Sequence, residues 1–335
     1  MSRHIDYRDR LQQYLHLPAT LKIRNMQKLA IAIHGGAGTL LKGQMTADKE
    51  NQYRAALKKA LEAGYDLLEE GESAIDAVEK AVRILEDSPL FNAGKGSVFT
   101  ADGTHEMDAA IMDGKTLNAG AVSLITGIKN PVSLARDVME KSDHVFLAGD
   151  GAMRFAQSLD YKLEHEDYFY DDFRHQQWQE IKDTDTFQLD HSKSKDSKFG
   201  TVGAVACDKD GNIAAATSTG GMTNKRFGRI GDSPVLGAGN YANNKTCAVS
   251  CTGSGEYFIR GVVAYDVSCL MEHKEHSLAH ASNEVINNRL LEIGGDGGLI
   301  AVDTAGNISL PFNTEGMYRG FKTSEGVEEI AIYKE

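Results

Sequence analysis

The chain has 335 residues, with 36 Lys and Arg against 48 Asp and Glu, which gives a formal net charge of −12. An acidic chain is repelled by nucleic-acid backbones and by anionic membrane surfaces, so we expect neither as a partner and expect a small ligand instead. Hydrophobic residues make up 41% and charged residues 25%, which is typical of a globular protein and excludes disordered and fibrous classes. No apolar run is long enough to span a bilayer and no secretory signal precedes Ala30, which predicts a cytoplasmic protein.

The first half of the chain has the pattern of helices packed on strands. Residues 1–28 are predicted to be an N-terminal extension, because the first strong strand, Leu29 to Ile33, begins only after them. A helix is predicted from Lys49 to Glu70 with Gly71 at its end, and Ser73 is predicted to cap a second helix. Short strands are predicted at 107–112 and 119–125.

A long polar stretch divides the chain. We predict a flexible linker at about 176–199, because this stretch offers few large apolar residues to bury. It separates a first segment, 29–200, from a second, 201–335, which begins with a buried type of strand. Both segments are predicted to form one domain.

The second segment contains an internal repeat. Nine residues recur identically 95 positions later, and they are Gly203, Ala206, Asp208, Gly211, Asn212, Ile213, Thr219, Gly221 and Met222. The repeat predicts two similar hairpins, one in each of two packed sheets. Helices are predicted at 262–272 and 277–291. Two groups of strands and two groups of helices predict an α+β fold with αββα layering.

Several familiar kinds of site do not fit the sequence. The stretch His34–Gly38 is similar to an oxyanion turn of esterases, but no Gly-x-Ser-x-Gly elbow follows it, so we interpret it as a tight turn after the first strand. The glycines near Lys95 and Lys115 match no nucleotide-binding fingerprint. Three histidines that could share a helix face match no metal-ligand spacing: His273, His276 and His280.

Polar groups gather between Gly200 and Glu256, where hydroxyls, arginines, Asp232 and glycines are dense. This is the composition of a site that binds a small zwitterion and carries out acyl transfer. The stretch has no histidine to act as a base, but an N-terminal threonine supplies its own, an α-amine with a pKa of roughly 7.7 to 8.0. Thr201 follows a glycine at the end of the linker, so we predict that the chain is cut between Gly200 and Thr201.

Motifs in unbroken order from about Leu29 to Tyr333 carry a family resemblance. They are His34-Gly35-Gly36-Ala37-Gly38, Asn92-Ala93-Gly94-x-Gly96, Gly200-Thr201-Val202-Gly203, Thr217-Ser218-Thr219-Gly220-Gly221, Gly228-Arg229-x-Gly231-Asp232-Ser233-Pro234, Thr252-Gly253-Ser254-Gly255-Glu256 and Pro311-Phe312-Asn313-Thr314-Glu315-Gly316-Met317. Together they resemble the plant-type L-asparaginases, also called isoaspartyl aminopeptidases, of the N-terminal nucleophile hydrolases. The resemblance implies their four-layer αββα sandwich and a precursor that cuts itself into an α chain, 29–200, and a β chain, 201–335.

The resemblance also implies the catalytic roles. Thr201 is the expected nucleophile and Thr219 the residue that hydrogen-bonds it. Thr252 and the N–H of Gly253 are expected to form the oxyanion hole, with Asn92 close behind the nucleophile. The implied reaction is hydrolysis of β-aspartyl amide bonds, in isoaspartyl dipeptides and in L-asparagine, to release L-aspartate.

For the substrate, the resemblance implies that Arg229 holds the α-carboxylate and Asp232 the α-ammonium group, with Gly253 and Gly255 lining the site. Charge complementarity supports the first two roles independently, because a guanidinium fork matches a carboxylate and a carboxylate matches an ammonium group.

The resemblance implies no cofactor for catalysis but a structural sodium ion. Its expected ligands are main-chain carbonyl groups of Leu85, Glu86, Ser88, Phe91, Ala93 and Lys95. Oxygen-only ligation suits a hard cation. The resemblance further implies self-association as a dimer of αβ heterodimers.

Two other functions stay open at the level of sequence. A glycosylasparaginase-type amidase shares the threonine-first design, although that family has Asp where Gly200 stands. An inactive amino-acid-binding relative would have lost part of the polar set, and the set is complete here.

Overall fold

The computed structural model describes residues 28–38, 40–184 and 200–334. Residues 1–27 of the predicted extension, and residues 185–199 of the predicted linker, lie outside the described residues. None of the helices in the described part of the chain is long and apolar enough to cross a membrane.

The strands of the described ranges have these bounds: β1 Ala30–Gly38, β2 Met107–Asp113, β3 Ala119–Ile125, β4 Phe146–Ala148, β5 Val202–Cys207, β6 Ile213–Thr219, β7 Asn240–Ala242, β8 Cys247–Gly253, β9 Gly297–Asp303, β10 Ile308–Ser309, β11 Gly316–Thr323 and β12 Glu328–Tyr333. The α-helices have these bounds: α1 Ala47–Glu70, α2 Ala74–Glu86, α3 Pro131–Lys141, α4 Gly149–Ser158, α5 Asp172–Ile181, α6 Gly255–Gly261, α7 Val263–Lys274, α8 Leu278–Glu284 and α9 Leu290–Glu292. A π-helical turn joins α8 to α9.

Side-chain caps fix the first two helices. The Thr46 hydroxyl accepts a hydrogen bond from the N–H of Lys49 at the start of α1 (3.3 Å). Gly71 ends α1 in the left-handed conformation, with φ of 89°, which glycine adopts without strain. Ser73 then caps α2 by accepting from the N–H of Asp76 (3.3 Å). The predicted helix at Lys49 to Glu70 and the Ser73 cap are therefore confirmed.

Two sheets form the centre of the described structure. The larger has eight strands within the described ranges, in the order β12-β11-β1-β5-β6-β2-β3-β4, and the smaller has four, in the order β10-β9-β8-β7. Neighbouring strands pair antiparallel, except β3 and β4, which are parallel. β1 and β5 lie side by side in the middle of the larger sheet, although most of the first segment separates them in sequence.

Three apolar clusters divide the molecule into four layers. One lies between α1, α2 and α3 and the outer face of the larger sheet. A second fills the space between the two sheets. A third lies between the smaller sheet and helices α7 and α8. The order is helix, sheet, sheet, helix, so the predicted αββα layering is confirmed.

The internal repeat corresponds to two hairpins, as predicted. β5 and β6 pair in the larger sheet, and β9 and β10 pair in the smaller one. Each hairpin therefore contributes to a different layer of the sandwich.

Two local predictions are wrong. The stretch His34–Gly38 is not a turn but the end of β1, with a β-bulge between His34 and Gly36. The predicted linker at 176–199 starts too early, because α5 runs to Ile181. The side chain of Trp178 on this helix stacks on Phe99, with ring centroids 5.6 Å apart. This polar stretch is therefore ordered by aromatic contacts with a distant part of the chain, which its composition does not show.

Candidate active site

Side-chain alternation places a row of polar groups between the two sheets. On β5 and β6, residues of one parity pack against the helical layer, as Val202 and Ala214 do, and residues of the other parity face the smaller sheet. On or just before four adjacent strands of the larger sheet, β1, β5, β6 and β2, polar residues near one end of the strand point toward the smaller sheet. They are His34, Asp108, Thr201, Thr217 and Thr219. From the smaller sheet, Ser250 and Thr252 on β8 face this row.

Thr201 stands at the start of β5, where the row ends. It is 8% exposed, so the hydroxyl is shielded but reachable. Its Oγ1 lies 3.3 Å from the Oγ of Ser233, and its carbonyl oxygen lies 3.0 Å from Nδ1 of His34. Gly200 before it is packed against the backbone of Gly36, because a Cβ on Gly36 would lie 2.5 Å from the Gly200 nitrogen. A side chain at position 36 would therefore displace the chain at the predicted cleavage point.

The pairing register of β5 and β6 determines the position of Thr219 relative to Thr201. Val202 pairs with Ser218, and continuing the register by one residue sets Thr201 opposite Thr219. In this structure the Thr219 hydroxyl accepts from the N–H of Gly221 (3.0 Å), so its predicted hydrogen bond to the nucleophile stays a prediction.

Asn92 fixes the turn that follows Thr219. Its carbonyl oxygen accepts from the N–H of Gly220 (3.0 Å), and its side-chain amide donates to the carbonyl of Gly221 (2.7 Å). Its Oδ1 accepts from the N–H of Val98 (3.1 Å). These contacts give Asn92 a positioning role behind Thr219.

The predicted oxyanion hole contains an unused hydroxyl. Thr252 is fully buried, and its Oγ1 has no hydrogen-bond partner among the described residues. Buried polar atoms without a partner are rare, and a catalytic role is one explanation for them. A Cβ built on Gly200 would lie 2.9 Å from this oxygen, which places Thr252 beside the Gly200-Thr201 peptide. Gly253, the last residue of β8, follows it with φ of 154° and pairs with Gly297 on β9.

Arg229 and Asp232 lie on either side of Gly255. A Cβ on Gly255 would lie 2.8 Å from Oδ1 of Asp232 and 3.1 Å from an η nitrogen of Arg229, so glycine keeps this space open. Arg229 donates to both carboxylate oxygens of Glu256, at 2.8 and 2.9 Å. Among the described residues, these bonds use two of the five N–H groups of the guanidinium.

Asp232 is a buried carboxyl group, 3% exposed, and its Oδ2 has no partner among the residues described. Burial raises its pKa to about 7, although its own backbone N–H and the charge of Arg229 act in the opposite direction. A cation placed against it would compensate the lost hydration. Burial also raises the pKa of Glu256, but the hydrogen bonds and charge of Arg229 outweigh this and leave it below its ordinary value.

Carbonyl groups converge in the turn after α2. A Cβ on Gly94 would lie 2.5 Å from the carbonyl oxygen of Glu86, and a Cβ on Gly96 would overlap the carbonyl oxygen of Phe91. Leu85, Glu86, Phe91 and Ala93 are fully buried here. Across the described ranges, no group of three His, Cys, Asp or Glu side chains could hold a metal ion.

Three residues at the site were not predicted as functional. Ser233 contacts Thr201, the expected nucleophile, and Glu256 accepts hydrogen bonds from the guanidinium group of Arg229. Asp108 is buried and pairs with Thr219 in the strand register, and its Oδ2 has no partner among the described residues. Ser233 and Glu256 directly follow predicted site residues within their motifs, which is a usable signal. Asp108 has no such signal, because it comes from a separate strand.

Comparisons with known proteins agree with this geometry. The model of the asparaginase family matches residues 27–332. The isoaspartyl peptidase of Salmonella typhimurium is 52% identical over 313 residues, covering 92% of this chain and 100% of that protein. The isoaspartyl peptidase of Escherichia coli is 51% identical, covering 92% and 98%. The plant-type L-asparaginase of Pyrococcus abyssi is 43% identical, covering 90% and 98%.

The family match covers both sheets and every predicted site residue, and so confirms the resemblance drawn from the motifs. The chain therefore belongs to the asparaginase family, with isoaspartyl peptidases and plant-type L-asparaginases among its relatives.

Proposed function

We propose that this protein is an isoaspartyl peptidase and L-asparaginase that hydrolyses β-aspartyl amide bonds and releases L-aspartate. One cluster of contacts carries the proposal. Thr201 contacts Ser233, which follows Asp232 in the chain, and the Gly200-Thr201 peptide lies beside the Thr252 hydroxyl, which has no partner among the described residues. Arg229 and Asp232 both lie against Gly255, shortly after Thr252 in the chain. A hydroxyl nucleophile, an oxyanion donor and two charges of opposite sign are what an amide of an α-amino acid side chain requires.

The chemistry follows from these groups. After the chain is cut, the Thr201 hydroxyl attacks the side-chain carbonyl carbon, and the Thr201 α-amine takes the hydroxyl proton. The hydroxyl of Thr252 and the N–H of Gly253 hold the negative oxygen. The proton passes to the leaving nitrogen, which departs as ammonia or as the amine of a second amino acid. Water then attacks the ester on Thr201, and aspartate is released.

Recognition uses the parts of the substrate that do not react. The α-carboxylate binds the N–H groups of Arg229 that Glu256 leaves available, in a charge-assisted contact. The α-ammonium binds Asp232, which is ionised when the cation arrives.

Self-cleavage at Gly200-Thr201 uses the same oxyanion donor. The Gly200 residue lies beside the free oxygen of Thr252, and Ser233 lies 3.3 Å from the nucleophile oxygen. Attack of Thr201 Oγ1 on the Gly200 carbonyl carbon forms an ester and frees the α-amine, and water then hydrolyses the ester. One hydroxyl thus serves both cutting and turnover.

The turn after α2 fits a structural sodium ion. Carbonyl groups of Leu85, Glu86, Ser88, Phe91, Ala93 and Lys95 would hold it, and the converging oxygens around Gly94 and Gly96 support this. The ion would stiffen the turn that leads to Asn92. It would take no part in bond breaking.

The remaining features of the proposal concern the state of the protein. A dimer of αβ heterodimers and a cytoplasmic location are part of it. Nucleic acid and membrane are not proposed as partners, because the net charge of −12 repels both.

The decisive test is the variant Thr201→Ala. It should remain one uncut chain by intact mass and show no hydrolysis of β-aspartyl dipeptides or L-asparagine, whereas Thr201→Ser should retain part of both. Normal maturation and turnover in Thr201→Ala would refute the proposal.

A further inference from the structure

A buried chain of hydrogen bonds runs from the smaller sheet to the nucleophile. Nδ2 of Asn240 donates to Oγ1 of Thr217 (3.0 Å), which lies 2.7 Å from Oγ of Ser250. That oxygen lies 2.8 Å from Nε2 of His34, whose Nδ1 lies 3.0 Å from the carbonyl oxygen of Thr201. The four side chains of this relay, His34, Ser250, Thr217 and Asn240, are fully buried.

Only one arrangement of protons satisfies the whole relay with an uncharged ring. The Thr201 carbonyl can only accept, so Nδ1 of His34 carries the hydrogen and Nε2 accepts from the Ser250 hydroxyl. Ser250 then accepts from the Thr217 hydroxyl, which also lies 3.3 Å from the carbonyl oxygen of Gly239, and Thr217 accepts from Asn240. Burial lowers the pKa of His34 to about 3, against the hydrogen bond to Thr201, so the ring stays neutral under assay conditions.

A glycine makes room for the relay. Gly203 pairs with His34 across β5 and β1, and a Cβ there would lie 2.5 Å from Nε2 of His34 and overlap Oγ of Ser250. The relay also ends beside the ammonium site, because a Cβ on Gly239, next to Asn240, would lie 2.8 Å from Oδ2 of Asp232.

We propose that His34 is a positioning residue, which holds the nucleophile by donating a hydrogen bond to its carbonyl group. Thr201 has a hydroxyl and, once cut, an α-amine, and both rotate with its backbone. Fixing the carbonyl fixes the direction of both groups relative to Thr252 and Asp232. This inference rests on the proposed function, because it assumes that Thr201 is the nucleophile.

Two substitutions separate the two nitrogens of the ring. His34→Asn places an amide N–H near the position of Nδ1, so it can still donate to Thr201 but cannot reach Ser250. His34→Gln places its amide near the position of Nε2, so it reaches Ser250 but loses the donor to Thr201. We expect kcat of His34→Gln to fall about tenfold or more with KM within about twofold, and kcat of His34→Asn to fall less, by about as much as in Ser250→Ala. The rate of cutting at Gly200-Thr201 should also fall more in His34→Gln than in His34→Asn.

A matched control deletes a buried hydroxyl elsewhere. Ser268 is fully buried on α7, and its Oγ bonds the hydroxyl of Thr246 (2.6 Å). Ser268→Ala should change Tm but leave kcat and KM unchanged. Ser250→Ala leaves His34 in place without its partner, so kcat should fall severalfold with KM unchanged; this variant also carries the test if His34→Gln does not fold.

The kinetic constants on a β-aspartyl dipeptide, the fraction of cut chain and Tm decide the question. Equal losses in His34→Gln and His34→Asn, a loss confined to KM, or wild-type kcat in Ser250→Ala would each overturn the inference. If wild type is active and His34→Gln matches it, this inference alone fails. If wild type is neither cut nor active, the proposed function fails and this inference fails with it.

Discussion

The two hairpins of the internal repeat, β5–β6 and β9–β10, share their turns and differ at their open ends. In each turn an aspartate, Asp208 or Asp303, accepts hydrogen bonds from the N–H groups two and four residues ahead, at 2.9 Å in all four cases. In each, an asparagine side chain also donates to the second carboxylate oxygen of that aspartate. The Asp, Gly and Asn that the two turns share therefore produce the same turn in two different sheets.

The open ends have separate tasks. The position equivalent to Thr201 is Asp296, whose carbonyl oxygen accepts from the N–H of Ser254 (3.0 Å) and whose carboxylate accepts from the Ser254 hydroxyl. One hairpin thus presents the proposed nucleophile, and the other supports the segment after the proposed oxyanion hole. The two copies of the repeat therefore share the hairpin structure, while the residues that each hairpin faces in the other sheet determine what its open end does.

The largest expected effect breaks the symmetry of the two hairpins. Thr219 and Thr314 occupy equivalent positions, but only Thr219 lies opposite the nucleophile, while the Thr314 hydroxyl donates to the carbonyl of Gly316 (2.9 Å). Thr219→Val should lower kcat about a hundredfold or more per cut chain. Thr314→Val should stay within about twofold. Steady-state kinetics with intact-mass correction measures both, and similar losses in the two variants would contradict the distinction.

A second substitution tests whether substrate capture depends on the loop that follows the first hairpin. Arg229→Lys keeps the charge but loses the fork, so kcat/KM should fall about ten- to a hundredfold. Cutting at Gly200-Thr201 should proceed, because it involves no substrate carboxylate. Arg289→Lys is the control, since Arg289 also pairs with a carboxylate, that of Asp266, at 2.8 and 3.0 Å. A failure of Arg229→Lys to mature would remove the distinction between capture and chemistry.

The pH dependence of KM sharpens the same point. Binding an ammonium group requires ionised Asp232, whose pKa burial raises to about 7 in the free site. KM should therefore fall by up to about tenfold per pH unit as pH rises toward 7, and level off above it. For a substrate with an acetylated α-amine, which carries no ammonium group, KM should not show this fall between low pH and pH 7. If the acetylated and free dipeptides show the same profile, Asp232 does not bind the ammonium group.

The smallest expected effect on catalysis concerns the shared turns. Asp208→Ala and Asp303→Ala each remove hydrogen bonds to two N–H groups, which should lower the free energy of unfolding by about 1–2 kcal/mol. Asp208 should be the more damaging site, because it is 4% exposed and also accepts from the N–H of Ala74 (3.4 Å). Thermal unfolding measures this, with kcat unchanged. Loss of kcat in either variant would mean that the turns act on the site.

The sequence was informative wherever the signal is local or periodic. The buried type of strand from residue 201 and the caps at Ser73 and Gly71 predicted local elements, because each depends on neighbours within a few residues. The internal repeat and the grouping of strands and helices predicted the layers. Thr201 could also be singled out from the sequence, because a threonine that follows a glycine at the start of a buried type of strand is recognised without knowing its contacts.

Only the tertiary structure decided which groups meet. The contacts of Arg229 with Glu256, of Thr201 with Ser233 and of His34 with Ser250 join separate elements, and β1 reaches β5 across most of the first segment. α5 lies in a polar stretch, and the stacking of Trp178 on Phe99 holds this helix against the rest of the protein. By itself the sequence determined the elements and the chemical types present. The packing of the two sheets determined the partners, because burial and hydrogen bonding depend on distances between atoms and not on separation along the chain.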